Sequence, residues 1–114
     1  NLIMNNVFVE RETFETNGKS YFTYFVRGNV RGKDVKACVV PPDLGGYAVL
    51  DIVFNGEKSA ELVSTPFEMK DDHNKVISGC TYSVRSTDEN GEVYECKIKP
   101  FRNSDKTILN MLLR

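Results

Sequence analysis

With 114 residues, 40% apolar and 27% charged, the chain reads as one globular domain that can bury a core without disulfide staples. No apolar run approaches the roughly 18 residues of a membrane span, and a net charge of −1 excludes a uniformly basic polyanion binder. The total hides a pattern: residues 18–37 carry +4, residues 38–72 carry −5 and residues 96–114 carry +4.

Taken in order, Asn1 to Asn6 has neither a basic region nor a long apolar stretch, so no signal peptide is expected, although the missing Met at position 1 leaves room for a leader ahead of it. Val7 to Glu15 begins as a strand, with Val7 and Val9 at alternate positions. Asn17-Gly18 supplies the two positive-φ positions of a type I′ hairpin turn. The next strand runs from Lys19 to Val30. Strand parity puts Phe22, Tyr24, Val26 and Val30 on one face and Tyr21, Phe25, Arg27 and Arg31 on the other. After a turn at Arg31-Gly32-Lys33, Asp34 to Val40 adds Val35 and Val39 to the first face, taken as core, and Lys36 to the second.

Pro41 to Gly46 interrupts the pairing. Tyr47 to Phe54 is almost wholly apolar, as expected of a strand buried on both faces, and Asn55-Gly56 repeats the hairpin signal. Ser59 to Met69 keeps a period of two and is read as a strand, with Pro66 at an edge or bend. Asp71 to Lys75 is an exposed turn. Val76 to Thr87 is a strand with a bulge at Gly79. Asp88 to Gly91 turns the chain into Glu92 to Pro100, with Tyr94, Cys96 and Ile98 inward and Lys97 and Lys99 outward. The tail changes period: Ser104 suits an N-cap, and Ile108, Leu109, Met111, Leu112 and Leu113 make the apolar stripe of a helix over 105–113. No internal repeat is visible. The expected fold is mainly β: one domain over 1–114, an antiparallel meander of six or seven strands curled into a small barrel or sandwich, with one short C-terminal helix plugging an end or covering an edge.

The residues offer little catalytic chemistry. His73 stands alone in a polar turn, remote from a cysteine partner. Asp51, in an apolar segment, is the one carboxylate with a setting that favours a raised pKa, and facing outward or pairing with a lysine is its commoner fate. Asp71-Asp72-His73 fits neither an EF-hand nor a zinc spacing. No enzyme activity, cofactor or metal is expected. Cys38, Cys80 and Cys96 are odd in number, lack a CxxC spacing and lie in predicted strands, which points to a reducing, cytoplasmic setting, with one bridge among the three left open.

The expected function is therefore a binding module, most readily one for a protein partner or a second copy of itself, docking through the edge near Pro66, the apolar tail or the aromatic face. The alternative is single-stranded nucleic acid, whose bases stack on rings while Lys and Arg track the phosphates. The residues for such a surface are Tyr21, Phe25, Arg27, Arg31 and Lys36, joined by Arg85, Lys97 and Lys99. The aromatic and basic strands of the first three segments resemble OB-type barrels. The chain departs from that pattern after the third strand, where such barrels carry a helix and this sequence offers only Pro41 to Gly46.

Overall fold

The computed structural model describes residues 3–56 and 59–114, the side chains of Ile3 and Met4 excepted; Asn1, Leu2, Glu57 and Lys58, which entered the reading of the N-terminus and of the acidic middle, lie outside the described residues. The elements are β1 (Ile3–Thr16), β2 (Lys19–Val30), β3 (Lys33–Val40), α1 (Leu44–Asn55), β4 (Ala60–Lys70), β5 (Val76–Thr87), β6 (Val93–Pro100) and α2 (Asn103–Leu112). The fold is mainly β, as expected, with a short C-terminal helix. All strand pairs are antiparallel, and they run round in a closed ring, β1-β2-β3-β6-β5-β4 and back to β1.

Turn chemistry sets the hairpins. Asn17 and Gly18 both take positive φ (51° and 74°), the type I′ geometry that matches strand twist. Arg31 and Gly32 repeat it (53° and 83°), with the Gly32 N–H donating to Asn29 Oδ1 at 2.8 Å. Asp71 and Asp88 organise the other two turns. Each carboxylate accepts two backbone N–H groups, from His73 and Lys75 and from Asn90 and Glu92 respectively. Gly79 makes no bulge, contrary to expectation: the β4–β5 register is unbroken from Glu61↔Arg85 to Lys70↔Val76. A Cβ at Gly79 would stand 2.9 Å from Phe67 Cζ, so the glycine leaves room for that ring.

The segment read as a buried strand is the helix α1. Asp43 caps it by accepting from Gly46 N at 2.9 Å, and Gly46, Leu50 and Val53 bury one helical face. Asn55-Gly56 ends this helix and forms no hairpin; Gly56 N donates to Ile52 O at 3.1 Å. A short apolar run does not reveal its period, and β-branched Val49, Ile52 and Val53 favoured the strand reading. The helix stands between the third and fourth strands, where the resemblance to OB-type barrels implied one; the sixth strand and α2 lie outside that pattern. α2 also begins earlier than expected. Arg102, not Ser104, takes the N-cap position, and Asp105 accepts from Arg102 N (2.9 Å) and Cys38 N (3.0 Å), tying the helix start to β3.

Inward residues of both halves of the ring form one core. Val26, Ala37, Leu62 and Val84 come from the strands, Leu50 and Val53 from α1, and Leu109 and Leu112 from α2. The two helices thus fill the space that the strands enclose. Phe22 was expected in this core and is 49% exposed, because β2 has left the ring by that point: β3 pairs with β2 only from Tyr24 onward.

The architecture is a repeat that the sequence does not show. β1-β2-β3-α1 and β4-β5-β6-α2 have the same order and the same pairings, and they join through β1·β4 and β3·β6. Tyr24 and Tyr82, Val26 and Val84, Val39 and Ile98, and Leu50 and Leu109 hold corresponding buried places.

Candidate interaction surface

Because strand parity holds, Tyr21, Phe25, Arg27 and Lys36 do share the outer face of β1-β2-β3. Arg85, Lys97 and Lys99 lie on the outer face of β5 and β6, and the Val40↔Lys99 pair makes the two faces continuous across the β3·β6 seam. Arg31 stands apart. It sits in the β2–β3 turn, on the wall of a cavity at the end of α2.

The electrostatics of the first face differ from those of a phosphate track. Arg27 Nε bonds Glu10 Oε1 at 2.6 Å while its guanidinium lies 5.0 Å from the Phe8 ring centre. Lys36 Nζ reaches Glu12 Oε1 at 3.0 Å and lies 4.5 Å from the Phe25 ring centre. On β5, Arg85 Nε meets Glu95 Oε2 at 2.8 Å. Such half-exposed pairs contribute roughly 0–1 kcal/mol each, so their main effect is on charge: each cation is already neutralised. Lys97 and Lys99 form no ion pair with a described residue.

Farther out, β1 and β2 continue beyond the ring as a two-stranded arm. From Glu10 to Thr16, β1 pairs with β2 alone, and from Lys19 to Thr23, β2 pairs with β1 alone. Phe14 and Tyr21 are directly opposite each other on the outer face, their rings stacked at 5.5 Å and 24°, and both are more than 40% exposed. The β4–β5 arm is its counterpart and exposes Phe67, Met69, Val76 and Ile77. In the apolar tail Leu109 and Leu112 are buried, and Ile108, Met111 and Leu113 are half-buried.

One cluster was missed by the sequence reading. Arg11 Nη1 pairs with Asp51 Oδ1 at 3.0 Å, and its guanidinium is sandwiched between Phe22 and Phe54, 4.3 and 4.7 Å from the ring centres. Tyr24 donates its hydroxyl to the same carboxylate oxygen. Burial, reinforced by the Asp51 carboxylate, pushes the Tyr24 pKa up to about 12 and keeps that donor protonated. Asp51 is therefore on a helix and binds α1 to the β1–β2 arm. The signal was parity: Arg11 follows Val7 and Val9 on the inward face.

The three thiols are free, and burial raises Cys38 and, to about 11, Cys96, which makes those two poor nucleophiles at neutral pH. No group of three metal-ligating side chains occurs among the described residues, and no described helix is long and apolar enough to cross a membrane. No protein-family model, curated protein or solved structure matches the chain.

Proposed function

We propose that the chain is a non-catalytic binding module that docks a partner protein on the β1–β2 arm. The observation that carries this reading is the stacked, exposed Phe14–Tyr21 pair on a two-stranded ribbon whose two edges pair with no other described strand. Isolated ribbons are marginal in water, and open edges with clustered aromatics invite an added strand. An extended segment of the partner, laid along β1 from Glu10 to Thr16, completes the sheet by main-chain hydrogen bonds and covers the rings. The neutralised cations of the same face favour a protein over a polyphosphate. Three unbridged thiols suit a reducing compartment such as the cytoplasm. Quantitative affinity capture from the source cell, with the wild-type chain and with Phe14→Ser/Tyr21→Ser as baits, tests the arm. Partners lost with the variant support it; the same partners at the same levels refute it. Sedimentation of both proteins shows whether the partner is a second copy.

Single-stranded nucleic acid is the second reading, and one observation favours it away from the first face. Next along the chain from Lys97 and Lys99, which pair with no described acid, Phe101 is 57% exposed with the Arg102 guanidinium 5.2 Å from its ring centre. A ring flanked by free cations is the arrangement that stacks a base and holds its phosphate.

A further inference from the structure

A cavity of about 500 Å³ lies between the β2–β3 turn and the end of α2, and none of the surface aromatics named above lines it. Its floor is apolar: Val30, Val35, Met111 and Leu112. Its rim is basic: Arg31, Lys33 and Arg114. None of the three cations forms an ion pair with a described residue. Asp34, the acid nearest in sequence, is bonded by Asn29 Nδ2 at 3.2 Å and does not line the cavity.

Both walls are fixed. Asn29 holds the turn through Gly32 N. Asn5 Nδ2 donates to Leu112 O at 2.7 Å, and Leu112 lies so close over Gly28 that a Cβ there would fall 2.5 Å from its Cδ2. The repeat supplies a control. The corresponding hollow, between the β5–β6 turn and the end of α1, is about 200 Å³, and it is lined by Ile52, Val53, Tyr94 and the acidic Asp88. The fold therefore requires neither the size nor the positive charge of the larger cavity.

We propose that this cavity binds a small amphipathic anion, an apolar body carrying one carboxylate or phosphate. The apolar body lies on Val30, Val35, Met111 and Leu112, and the anion meets Arg31, Lys33 and Arg114. The volume falls within the roughly 300–1,000 Å³ of small-molecule sites, and the three cations, which pair with no described acid, select the charge. This inference does not depend on the protein-docking reading.

The probe is 8-anilino-1-naphthalenesulfonate, whose sulfonate stands in for the headgroup, compared with uncharged N-phenyl-1-naphthylamine. The wild-type chain is expected to bind the anionic dye saturably at one site. Arg31→Asn/Lys33→Gln, both in an exposed turn, should weaken the anionic dye about tenfold or more and leave the neutral dye unchanged. Met111→Trp, which fills the floor, should weaken both dyes, whereas Phe14→Ser/Tyr21→Ser should weaken neither. Decanoate and decyl phosphate should displace the dye, and the more potent of the two identifies the headgroup. Unsaturable binding, or equal affinity of the anionic dye for the Arg31/Lys33 variant, overturns the proposal. Displacement by inorganic phosphate as effective as that by the decyl compounds also overturns it, since the apolar floor would then play no part.

Discussion

Tyr24 on β2 and Tyr82 on β5 make the same bond in the two halves of the molecule. Each is buried, and each donates its hydroxyl to the helix that follows its own three strands: Tyr24 to Asp51 Oδ1 on α1, Tyr82 to Asn110 Oδ1 on α2 at 2.6 Å. Burial is the first cause that pushes both pKa values up to about 12 from the ordinary 10. The folded chain holds two protons there that the unfolded chain releases near pH 10. Their contribution to stability is complete below that pH and is lost as pH rises toward about 12. Absorbance titration of the five tyrosines should show two that ionise only as near-ultraviolet circular dichroism collapses, and Tyr24→Phe should remove one of them. All five titrating together near pH 10 in a chain that remains folded would contradict this.

Arg11 joins the arm to α1 by its ion pair with Asp51 and its contact with the Phe54 ring, and it also lies over the ring of Phe22 within the arm. Both partners of the ion pair are partly exposed, which limits its share to under about 1 kcal/mol, while each cation–π contact adds roughly 0.5–1 kcal/mol. Arg11→Ala should therefore cost about 1–2 kcal/mol in urea denaturation at unchanged slope. Arg11→Lys keeps the charge but not the flat stack and should recover less than half of that loss. An Arg11→Ala midpoint equal to that of the wild-type chain would show that the cluster contributes nothing.

Two adjacent glycines in α1 should respond in opposite directions. Alanine gains up to about 1 kcal/mol over glycine in a helix. At Gly45 the nearest atom to a new Cβ is Asp43 Oδ1 at 3.4 Å, so Gly45→Ala should stabilise the chain. At Gly46 the new Cβ would lie 2.4 Å from Pro41 Cβ, part of a rigid ring that cannot swing away. Gly46→Ala should then lose about 1–3 kcal/mol to overpacking despite the same gain in propensity. Melting temperatures in the reverse order would mean that α1 is not seated on Pro41.

How much of this was legible depended on which signals are local. Asn17-Gly18 and the alternation of Tyr24, Val26, Val39 and Ile98 declare their geometry in a few residues, so the hairpin, the strand faces and the antiparallel meander followed from them, while its closure into a ring stood open between a barrel and a sandwich. The outer grouping of Tyr21, Phe25, Arg27 and Lys36 came from the same parity. Pairing across strands is not local. Nothing near Arg27 or Lys36 in sequence announces Glu10 or Glu12, because the β1–β2 and β2–β3 registers bring them together. The arms were invisible for a related reason. Phe22 and Tyr24 have the same parity, and only the length of β3 decides that one is buried and the other left outside. α1 failed on period: with Gly46, Leu50 and Val53 embedded in an apolar run, the deciding sign was Asp43 as a cap, and the prolines and glycines around it read equally well as a loop.

The difference between paired and unpaired cations gives the nucleic-acid reading a sharp test. A lysine already bonded to a carboxylate releases no counterion when a phosphate arrives, whereas a free one does, worth a slope of about 0.7 per contact for a single strand. Lys97→Ala/Lys99→Ala should therefore weaken a labelled single-stranded oligonucleotide and flatten its salt dependence in fluorescence anisotropy. Arg27→Ala/Lys36→Ala also uncovers Glu10 and Glu12, so it should lower affinity by added repulsion while leaving the salt slope set by Lys97 and Lys99 in place. If the second variant flattens the slope and the first does not, the strand rides on β1-β2-β3 and the free lysines of β6 are solvated bystanders. If neither the variants nor the wild-type chain bind at low salt, phosphate recognition is excluded at both surfaces, and the open edge of β1 is left as the feature that a partner must explain.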